Sequence, residues 1–256
     1  MKSTLIGIVV GFLLLGITIL WSIDFQFDRF VWFFDLKAFL IVLGGIVCTT
    51  FIAYPYNKVL GAFGSYMNAL SRNEISLEDY IQEIETLSAG VIEEDSRINP
   101  DKADETGEAF LRDGLRMVVN KYSADEVQHL MAERIKNTYH NDILEAKVIR
   151  NMAKIAPAFG VLGTLLGLVM MMRSLDSENP ELMTLLGTGM GTALLSVFYG
   201  VLLSNFLFTP VAVKIENRAA QRVVLMNIIM EGIVLLVNEA PAEIIRDKLQ
   251  AFLALK

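Results

Sequence analysis

The chain has 256 residues, of which 54% are hydrophobic and 20% charged, and its formal net charge is −7. The apolar excess excludes an ordinary soluble domain, and the acidic balance excludes a nucleic-acid-binding protein. The single cysteine, Cys48, excludes an internal disulfide and is expected to be a small packing residue.

Four uncharged runs are long enough to be membrane-spanning helices, at residues 3–23, 38–57, 155–172 and 182–213. A helix needs about 20 mainly apolar residues to cross the hydrocarbon core. No strand-like alternation persists anywhere. The predicted fold class is therefore all-α, a polytopic membrane protein with four transmembrane helices and a helical cytoplasmic domain. The alternative for the first run is a cleaved signal peptide, but the small residues of a cleavage site are missing around Trp21.

The positive charges predict the orientation in the membrane. The loop 22–35 contains one Lys or Arg residue, Arg29, and the loop 174–181 contains none. Segment 58–154 contains twelve such residues and the tail from 214 to 256 contains six. Because Lys and Arg are enriched on the cytoplasmic side, both termini and the middle segment are expected in the cytoplasm.

The predicted organisation follows these runs. Residues 1–57 hold the first two transmembrane helices with a short periplasmic loop, and residues 58–154 form a cytoplasmic helical domain. Residues 155–213 hold the third and fourth transmembrane helices. Residues 214–256 form C-terminal cytoplasmic helices, with a break near residues 238–241.

The cytoplasmic domain shows helix signals but no catalytic chemistry. Ser123 precedes Glu126 by three residues, which is the signature of a capping box at the start of a helix. His129 and His140 are isolated in a charged helical region, where an exposed surface position is expected. We therefore predict no enzyme activity, no catalytic residue, no metal site and no cofactor.

The spans contain no Asp, Glu, Lys, Arg or His in their central parts. Carboxylates inside a membrane normally mark ion relays. If this chain moves ions by such a relay, another polypeptide must supply the carboxylate.

The third and fourth spans instead contain rows of small and hydroxyl residues. The fourth has Thr or Ser at every fourth position from 184 to 196, with Gly and Ser continuing the row beside a pair of glycines, and the third has a similar small face. These residues are Thr184, Thr188, Thr192, Ser196, Gly200 and Ser204, with Gly187 and Gly191, in the fourth span, and Gly160, Gly163, Thr164 and Gly167 in the third. Two interpretations stay open, which are close helix–helix packing and an ion path.

Two prolines lie near the ends of these spans. Pro157 is close to the start of the third span and Pro210 is close to the end of the fourth. A proline can kink or hinge a span. The alternative for Pro157 is a place in a first helical turn.

Several strings resemble the MotA and PomA family of flagellar motor stator subunits, within the MotA/TolQ/ExbB superfamily. IAPAFGVLGTLLGLVMMM at 155–172 is similar to the third span of that family, and GTALLSVFYGVLLSNFLFTP at 191–210 is similar to the fourth. DLKAFLIVLGG at 35–45, GLRMVVNKYSADEV at 114–127 and the C-terminal tail are also similar.

The resemblance implies a rotary ion-driven motor in the bacterial inner membrane. In that family, five A-type subunits surround two B-type partners, and each partner supplies one span with an essential aspartate and a peptidoglycan-binding domain. Ion passage turns the ring and generates torque on the flagellar rotor. The ion-pathway candidates are Thr164, Thr192, Ser196 and Val197, and the channel-lining or hinge candidates are Pro157, Gly160, Gly163, Gly167, Tyr199 and Pro210.

The resemblance also bears on the ion. Sodium-type relatives have one hydroxyl in the third span and two adjacent hydroxyls in the fourth. Thr164 matches the first and Ser196 matches the second, but Val197 stands where the third hydroxyl would be. Valine cannot coordinate a hard cation, which needs oxygen ligands. The sequence therefore favours H⁺ over Na⁺ as the transported ion.

The segment expected to contact the rotor departs from the family pattern. It keeps Gly90 and the rotor-contact candidates Glu93, Glu94 and Asp95, but no arginine shortly precedes the glycine, and Arg97 follows instead. The alternative is that these charges form only a solvated helix face. The partner is expected to be the flagellar rotor switch protein. Two other functions stay open, which are a stator-like unit that powers gliding, envelope or defence work, and a non-conducting membrane scaffold.

Overall fold

The structure is a computed structural model that describes residues 2–71, 81–82, 84, 108–175 and 182–253. Every element in these residues is helical, which confirms the all-α class. In chain order the elements are α1 (Lys2–Ser22), a 3-10 helix (Phe27–Phe33), α2 (Leu36–Ala53), α3 (Tyr56–Ser71), α4 (Ala109–Val119), α5 (Ala124–Ser174), α6 (Leu182–Leu202), a π-helical turn (Leu203–Phe208), α7 (Thr209–Val237) and α8 (Ala242–Leu253).

Several of these helices are suited to a membrane. Among the described residues, three helical stretches are long and apolar enough to cross one: Phe27–Ala53, Ala124–Arg173 and Leu182–Val237. A shorter apolar helix covers Val9–Ser22. Many of their large apolar side chains are exposed within the single chain, as expected for surface that faces lipid or neighbouring protein. These helices support the assignment of the chain as a membrane protein. The number of spans, four, stays a prediction.

The chain divides into two compact units. Unit 1 comprises Met1–Asn73 and Ile143–Glu216, and unit 2 comprises Glu74–Asp142 and Asn217–Lys256. The core of unit 1 contains one face of α2, because residues four apart lie on the same side of a helix. The buried residues of that face are Ala38, Val42, Ile46 and Thr50.

Unit 2 has its own apolar core. Residues from α4, α5, α7 and α8 meet there, and Ile81 and Ile84 pack with them. Gly114 of α4 lies so close to Ile233 that an added Cβ would be 2.8 Å from its side chain. The fully buried members of this core with the largest side chains include Leu111, Leu115, Met131, Ile228, Ile229, Ile233, Ile245 and Leu249.

Helix α5 begins at the predicted capping box. The backbone N–H of Ser123 donates to Glu126 Oε2 at 2.9 Å, and the backbone N–H of Glu126 donates to Ser123 Oγ at 3.4 Å. The hydrogen bond from the Ser123 backbone lowers the pKa of Glu126. The reciprocal bonds satisfy N–H groups that a helix start leaves without partners, and this prediction is confirmed.

The third predicted span is not a separate helix. Helix α5 runs without a break from Ala124 to Ser174, a length of 51 residues, and Pro157 lies inside it. The alternative that placed Pro157 in a first helical turn is therefore wrong. Apolar runs locate the part of a helix that suits a membrane, but they do not show that a charged helix continues into that run.

The end of the fourth predicted span contains a π-helical turn. Its last hydrogen bond joins the backbone N–H of Thr209 to the carbonyl of Ser204, five residues earlier. Pro210 follows immediately, in the first turn of α7. Proline lacks an N–H and its ring crowds the preceding turn, and π-helical turns are a recognised way for a helix to absorb an irregularity.

The predicted break in the C-terminal tail is confirmed. Helix α7 ends at Val237 and α8 begins at Ala242. Glu239 adopts a left-handed conformation with φ of 51°, which is a common way to end a helix. Pro241 then precedes α8, where a missing N–H costs little.

An ion pair joins α5 to the start of α7 within unit 1. Arg150 Nε donates to Glu216 Oε1 at 2.7 Å and Nη2 donates to Oε2 at 2.5 Å, which makes the contact bidentate. The side chains are 38% and 33% exposed, so water screens the pair. The guanidinium of Arg150 holds the pKa of Glu216 below its ordinary value.

Replacing Glu216 with glutamine is expected to lower stability by about 1 kcal/mol or less at neutral pH. Because the folded-state pKa is lowered, the contribution is present above the ordinary carboxyl pKa and is lost as pH falls through the folded value. Thermal unfolding of the detergent-solubilised protein should therefore separate Glu216→Gln from the parent at neutral pH and not in acid.

The matched control for that measurement is Glu133→Gln. Glu133 pairs with Lys136, three residues along the same helix, and both side chains are at least half exposed. We expect almost no change for this control. An equal effect of both replacements at neutral pH would contradict a specific role for the Arg150–Glu216 pair.

Candidate functional site: the seam between α5 and α6

Helices α5 and α6 meet through small residues, and we call this contact the α5–α6 seam. A Cβ added to Gly167 would lie 2.7 Å from the carbonyl oxygen of Gly189. A Cβ added to Gly160 would lie 3.0 Å from the carbonyl oxygen of Ser196. The two backbones therefore approach too closely for larger residues. The seam consists of Gly160, Gly163 and Gly167 on α5 and of Gly189, Ala193, Ser196 and Gly200 on α6.

The packing interpretation accounts for the glycines of the third span. Gly163 is buried against the side chain of Ser196. A Cβ added to Gly200 would lie 2.7 Å from the carbonyl oxygen of Ala156. Such small-residue faces allow helices in membranes to associate closely. Gly160, Gly163 and Gly167 therefore pack against α6 of the same chain, and this contact is sufficient to explain their size.

The hydroxyl of Thr164 crosses the seam. It donates to the carbonyl of Gly160 at 3.2 Å on its own helix and to the carbonyl of Ala193 at 3.1 Å on α6. A hydroxyl has one proton to donate, so the two carbonyls share it, while the oxygen lone pairs can accept a further bond. Thr164 is half-buried and is the only one of the predicted ion-pathway residues that lies on α5.

The other two hydroxyls predicted for the ion pathway lie one turn apart on α6. Ser196 is fully buried and donates to the carbonyl of Thr192 at 2.7 Å. Thr192 is half-buried and donates to the carboxylate of Asp35 at 2.5 Å. The row changes from exposed at Thr184 and Thr188 to buried at Ser196. The row therefore meets the seam only in its second half.

A polar cluster joins the start of α2 to α6, and we call it the Asp35 cluster. Asp35 Oδ1 accepts from the backbone N–H groups of Lys37 and Ala38, so Asp35 is the N-cap of α2. The hydroxyl of Tyr199 donates to the carbonyl of Phe33 at 2.7 Å and accepts from the backbone N–H of Asp35 at 2.9 Å. The cluster consists of Phe33, Asp35, Thr192 and Tyr199.

Asp35 is the functional candidate that the sequence analysis missed. An aspartate immediately before an apolar run is a typical N-cap signature, and this signal was present at Asp35. Its contact with Thr192, 157 positions away along the chain, had no sequence signal. Tyr199, predicted to line a channel or to act at a hinge, is buried within this cluster and packs edge-on against Phe39.

The remaining candidates lie at the edge of the seam or away from it. Val197 is 36% exposed within the chain, and its Cα would lie 3.1 Å from a Cβ added to Gly160. Pro157 and Pro210 are half-buried in their helices. The rotor-contact candidates Glu93, Glu94, Asp95 and Arg97 lie outside the described residues.

Among the described residues, no group of three His, Cys, Asp or Glu side chains is arranged to hold a metal ion. His129 and His140 are exposed on α5, as predicted. The seam offers hydroxyl and carbonyl oxygens and no charged group, so it can accompany an ion or proton but cannot supply the carboxylate of a relay.

Apolar helices that pack through a glycine seam with hydroxyls beside it are typical of a helical membrane protein. Residues 102–228 match the MotA/TolQ/ExbB proton channel family. The chain is similar to that family over this region, and the family consists of channel-type stator components and not of enzymes.

Individual relatives agree with this assignment. The chain is 29% identical over 202 residues to the uncharacterized protein YtxD of Bacillus subtilis, a match that covers 79% of this chain and 72% of the relative. It is 26% identical over 259 residues to the chemotaxis protein PomA of Vibrio alginolyticus, covering 98% and 94%. The flagellar MotAB stator complex from Bacillus subtilis contains a chain with the same fold, at a TM-score of 0.82 and 22% identity, covering 97% of this chain and 94% of that one.

Proposed function

We propose that the chain is the A-type subunit of an ion-driven stator that turns the flagellar rotor. The observation that carries the proposal is the α5–α6 seam, which places hydroxyls beside a close helix contact and contains no charged side chain. An ion relay needs a titratable group. The missing group is the reason that a second polypeptide belongs in the functional unit.

That second polypeptide is a B-type partner with one span, an essential aspartate and a peptidoglycan-binding domain. The resemblance to MotAB stator complexes supports such a partner. We propose further that five copies of this chain form a ring around two copies of the partner. The copies lie in the bacterial inner membrane with both termini in the cytoplasm, and the flagellar switch protein receives the torque.

Deletion of the gene and its reintroduction test this function. Loss of swimming with an intact flagellum, restored only when this chain and a B-type partner are expressed together, is the expected result. Restoration by this chain without any partner that has a membrane aspartate would contradict the borrowed-carboxylate mechanism. Swimming that persists after deletion, together with loss of gliding or of envelope function, would favour the second function, which the missing arginine before Gly90 also permits.

The transported ion is proposed to be H⁺. Thr164 and Ser196 provide two hydroxyls, but Val197 provides no oxygen where sodium-type relatives have a third. A proton needs no shell of six or so oxygen ligands, whereas a hard cation must replace its water.

Swimming in sodium-free medium tests the ion. We expect the swimming speed to be unchanged when sodium is replaced by potassium and to collapse when a protonophore is added. A strict dependence on sodium would overturn the assignment. As a control for cell energy, ATP should be measured in the same cells, because a general loss of energy would also stop swimming.

Variants that lack the two hydroxyls distinguish a non-conducting scaffold from a stator. Thr164→Val and Ser196→Ala remove the hydroxyls at little cost in volume. A stator should lose ion-dependent output while the protein still accumulates in the membrane. A scaffold should keep its output in both variants.

A further inference from the structure

The connection between α1 and α2 exposes an unusual density of large apolar side chains. We call residues 21–34 the aromatic connection. Seven of its side chains are between 46% and 73% exposed within the chain, and its 3-10 helix contains no buried residue. The seven are Trp21, Phe25, Phe27, Phe30, Val31, Trp32 and Phe34.

Water is a poor surrounding for this surface. Burial of one large apolar side chain contributes roughly 1.5–3 kcal/mol relative to leaving it in water. A contiguous exposed patch of several such side chains marks a contact with a membrane or another protein. The aromatic connection therefore needs a cover that the single chain does not provide.

The neighbouring helices identify that cover as lipid. The aromatic connection begins with the last two residues of α1 and ends just before α2, and both helices expose apolar side chains such as Leu13, Leu14 and Leu40. This apolar surface is continuous along the chain with the aromatic connection, which thus lies where two apolar helices leave the hydrocarbon core. Trp and Tyr are enriched at this level of the bilayer because the ring is apolar while the indole N–H or phenol O–H is polar, and the aromatic connection contains Trp21 and Trp32.

Charged side chains in the same connection fit the headgroup region. Arg29 lies over the ring of Trp32, with 5.3 Å between the guanidinium carbon and the ring centroid. Asp24 and Asp28 are exposed. Charged side chains interleaved with aromatic rings are suited to a depth in the bilayer where the rings can contact acyl chains and the charges can contact water. The core of a protein–protein contact is instead depleted of charge.

The fold holds the aromatic connection in place. The carbonyl of Phe33 accepts the hydrogen bond from buried Tyr199, and Asp35 caps the next helix. At the other end, Asp24 and Phe25 adopt left-handed conformations with φ of 51° and 57°. Such conformations cost about 1–2 kcal/mol for each residue with a side chain. A fixed and partly strained turn that directs aromatic rings outward is expected to contact another surface.

We propose that the aromatic connection lies in the headgroup region of the bilayer and contacts lipid directly, so that it sets the depth of the α1 and α2 ends. The contacting surface consists of the seven side chains named above, with Arg29 at the level of the lipid phosphates. This inference rests on residence in a membrane and is independent of the transported ion and of the rotor.

Tryptophan fluorescence tests the proposal on the unmodified full chain, because Trp21 and Trp32 are its only two tryptophans. The chain is reconstituted into phosphatidylcholine vesicles with or without brominated acyl chains. We expect a clear loss of emission in brominated lipid, larger with bromines near the headgroup than with bromines near the methyl end. Iodide in the water is expected to quench much less.

Each alternative gives a different pattern. Strong quenching by iodide with none by bromine would place the aromatic connection in water and overturn the proposal. Protection from both quenchers would mean that another protein chain covers it, which also overturns the proposal. Trp21→Phe and Trp32→Phe each leave one reporter, and both variants should show the bromine effect if the whole connection contacts lipid.

Discussion

Gly200→Ala is expected to destabilise unit 1 by about 1–3 kcal/mol, the usual cost of forcing extra volume into a packed contact. The new methyl group would lie 2.7 Å from the carbonyl oxygen of Ala156 and 3.2 Å from the Cα of Gly160. Both are backbone atoms, so no side chain can rotate away. Helices α5 and α6 would have to separate, and the hydrogen bond from Thr164 across the seam would lengthen.

Gly187→Ala is the matched control on the same helix. Nothing lies within 4 Å of a Cβ added there. Alanine is a better helix former than glycine by up to about 1 kcal/mol, so the control should be unchanged or slightly more stable. Membrane accumulation and the unfolding temperature of the detergent-solubilised chain measure both variants. Equal stability of the two would contradict a close seam between α5 and α6.

Asp35→Ala is expected to cost about 1–2 kcal/mol, because it removes the N-cap of α2 and leaves the hydroxyl of Thr192 without its acceptor. Asp35→Asn should retain most of the stability. An asparagine oxygen can cap the helix, and its amide can donate to the Thr192 oxygen. Thr192→Val removes one hydrogen bond only and should cost about 1 kcal/mol.

Swimming assays of the same variants distinguish a role of Asp35 in positioning the helices from a role of its negative charge. If Asp35 acts by holding α2 to α6, Asp35→Asn should swim nearly as well as the parent and Asp35→Ala should swim poorly. Asp35→Asn that folds and accumulates normally yet does not swim would contradict this positioning role. That outcome would instead make the charge of Asp35 part of ion movement.

Local signals in the sequence predicted several parts of the fold. The Ser123–Glu126 spacing located the start of α5, and the break near Pro241 separated α7 from α8. Each of these features depends on residues within about one helical turn of each other. The apolar runs likewise indicated a helical membrane protein, because hydropathy is a property of a continuous segment.

Contacts between distant segments could not be predicted in the same way. The small residues of the third span indicated a close contact but not its partner on α6, and Thr164 and Ala193 are 29 positions apart. The Asp35 cluster joins residues more than 150 positions apart. Apolar and small residues pack equally well against many surfaces, so their pattern limits the choice of partner without fixing it.

The π-helical turn at Leu203–Phe208 makes this segment the place where the chain can lose one residue. A π-helical turn is equivalent to an α-helix that has absorbed one additional residue locally. Removing one residue there would restore a regular helix, and the helix beyond it would keep nearly the same orientation. Ala212 and Ile215 would therefore stay in the core of unit 1. A deletion of one residue within the regular part of α6 would instead rotate the following residues by about 100°.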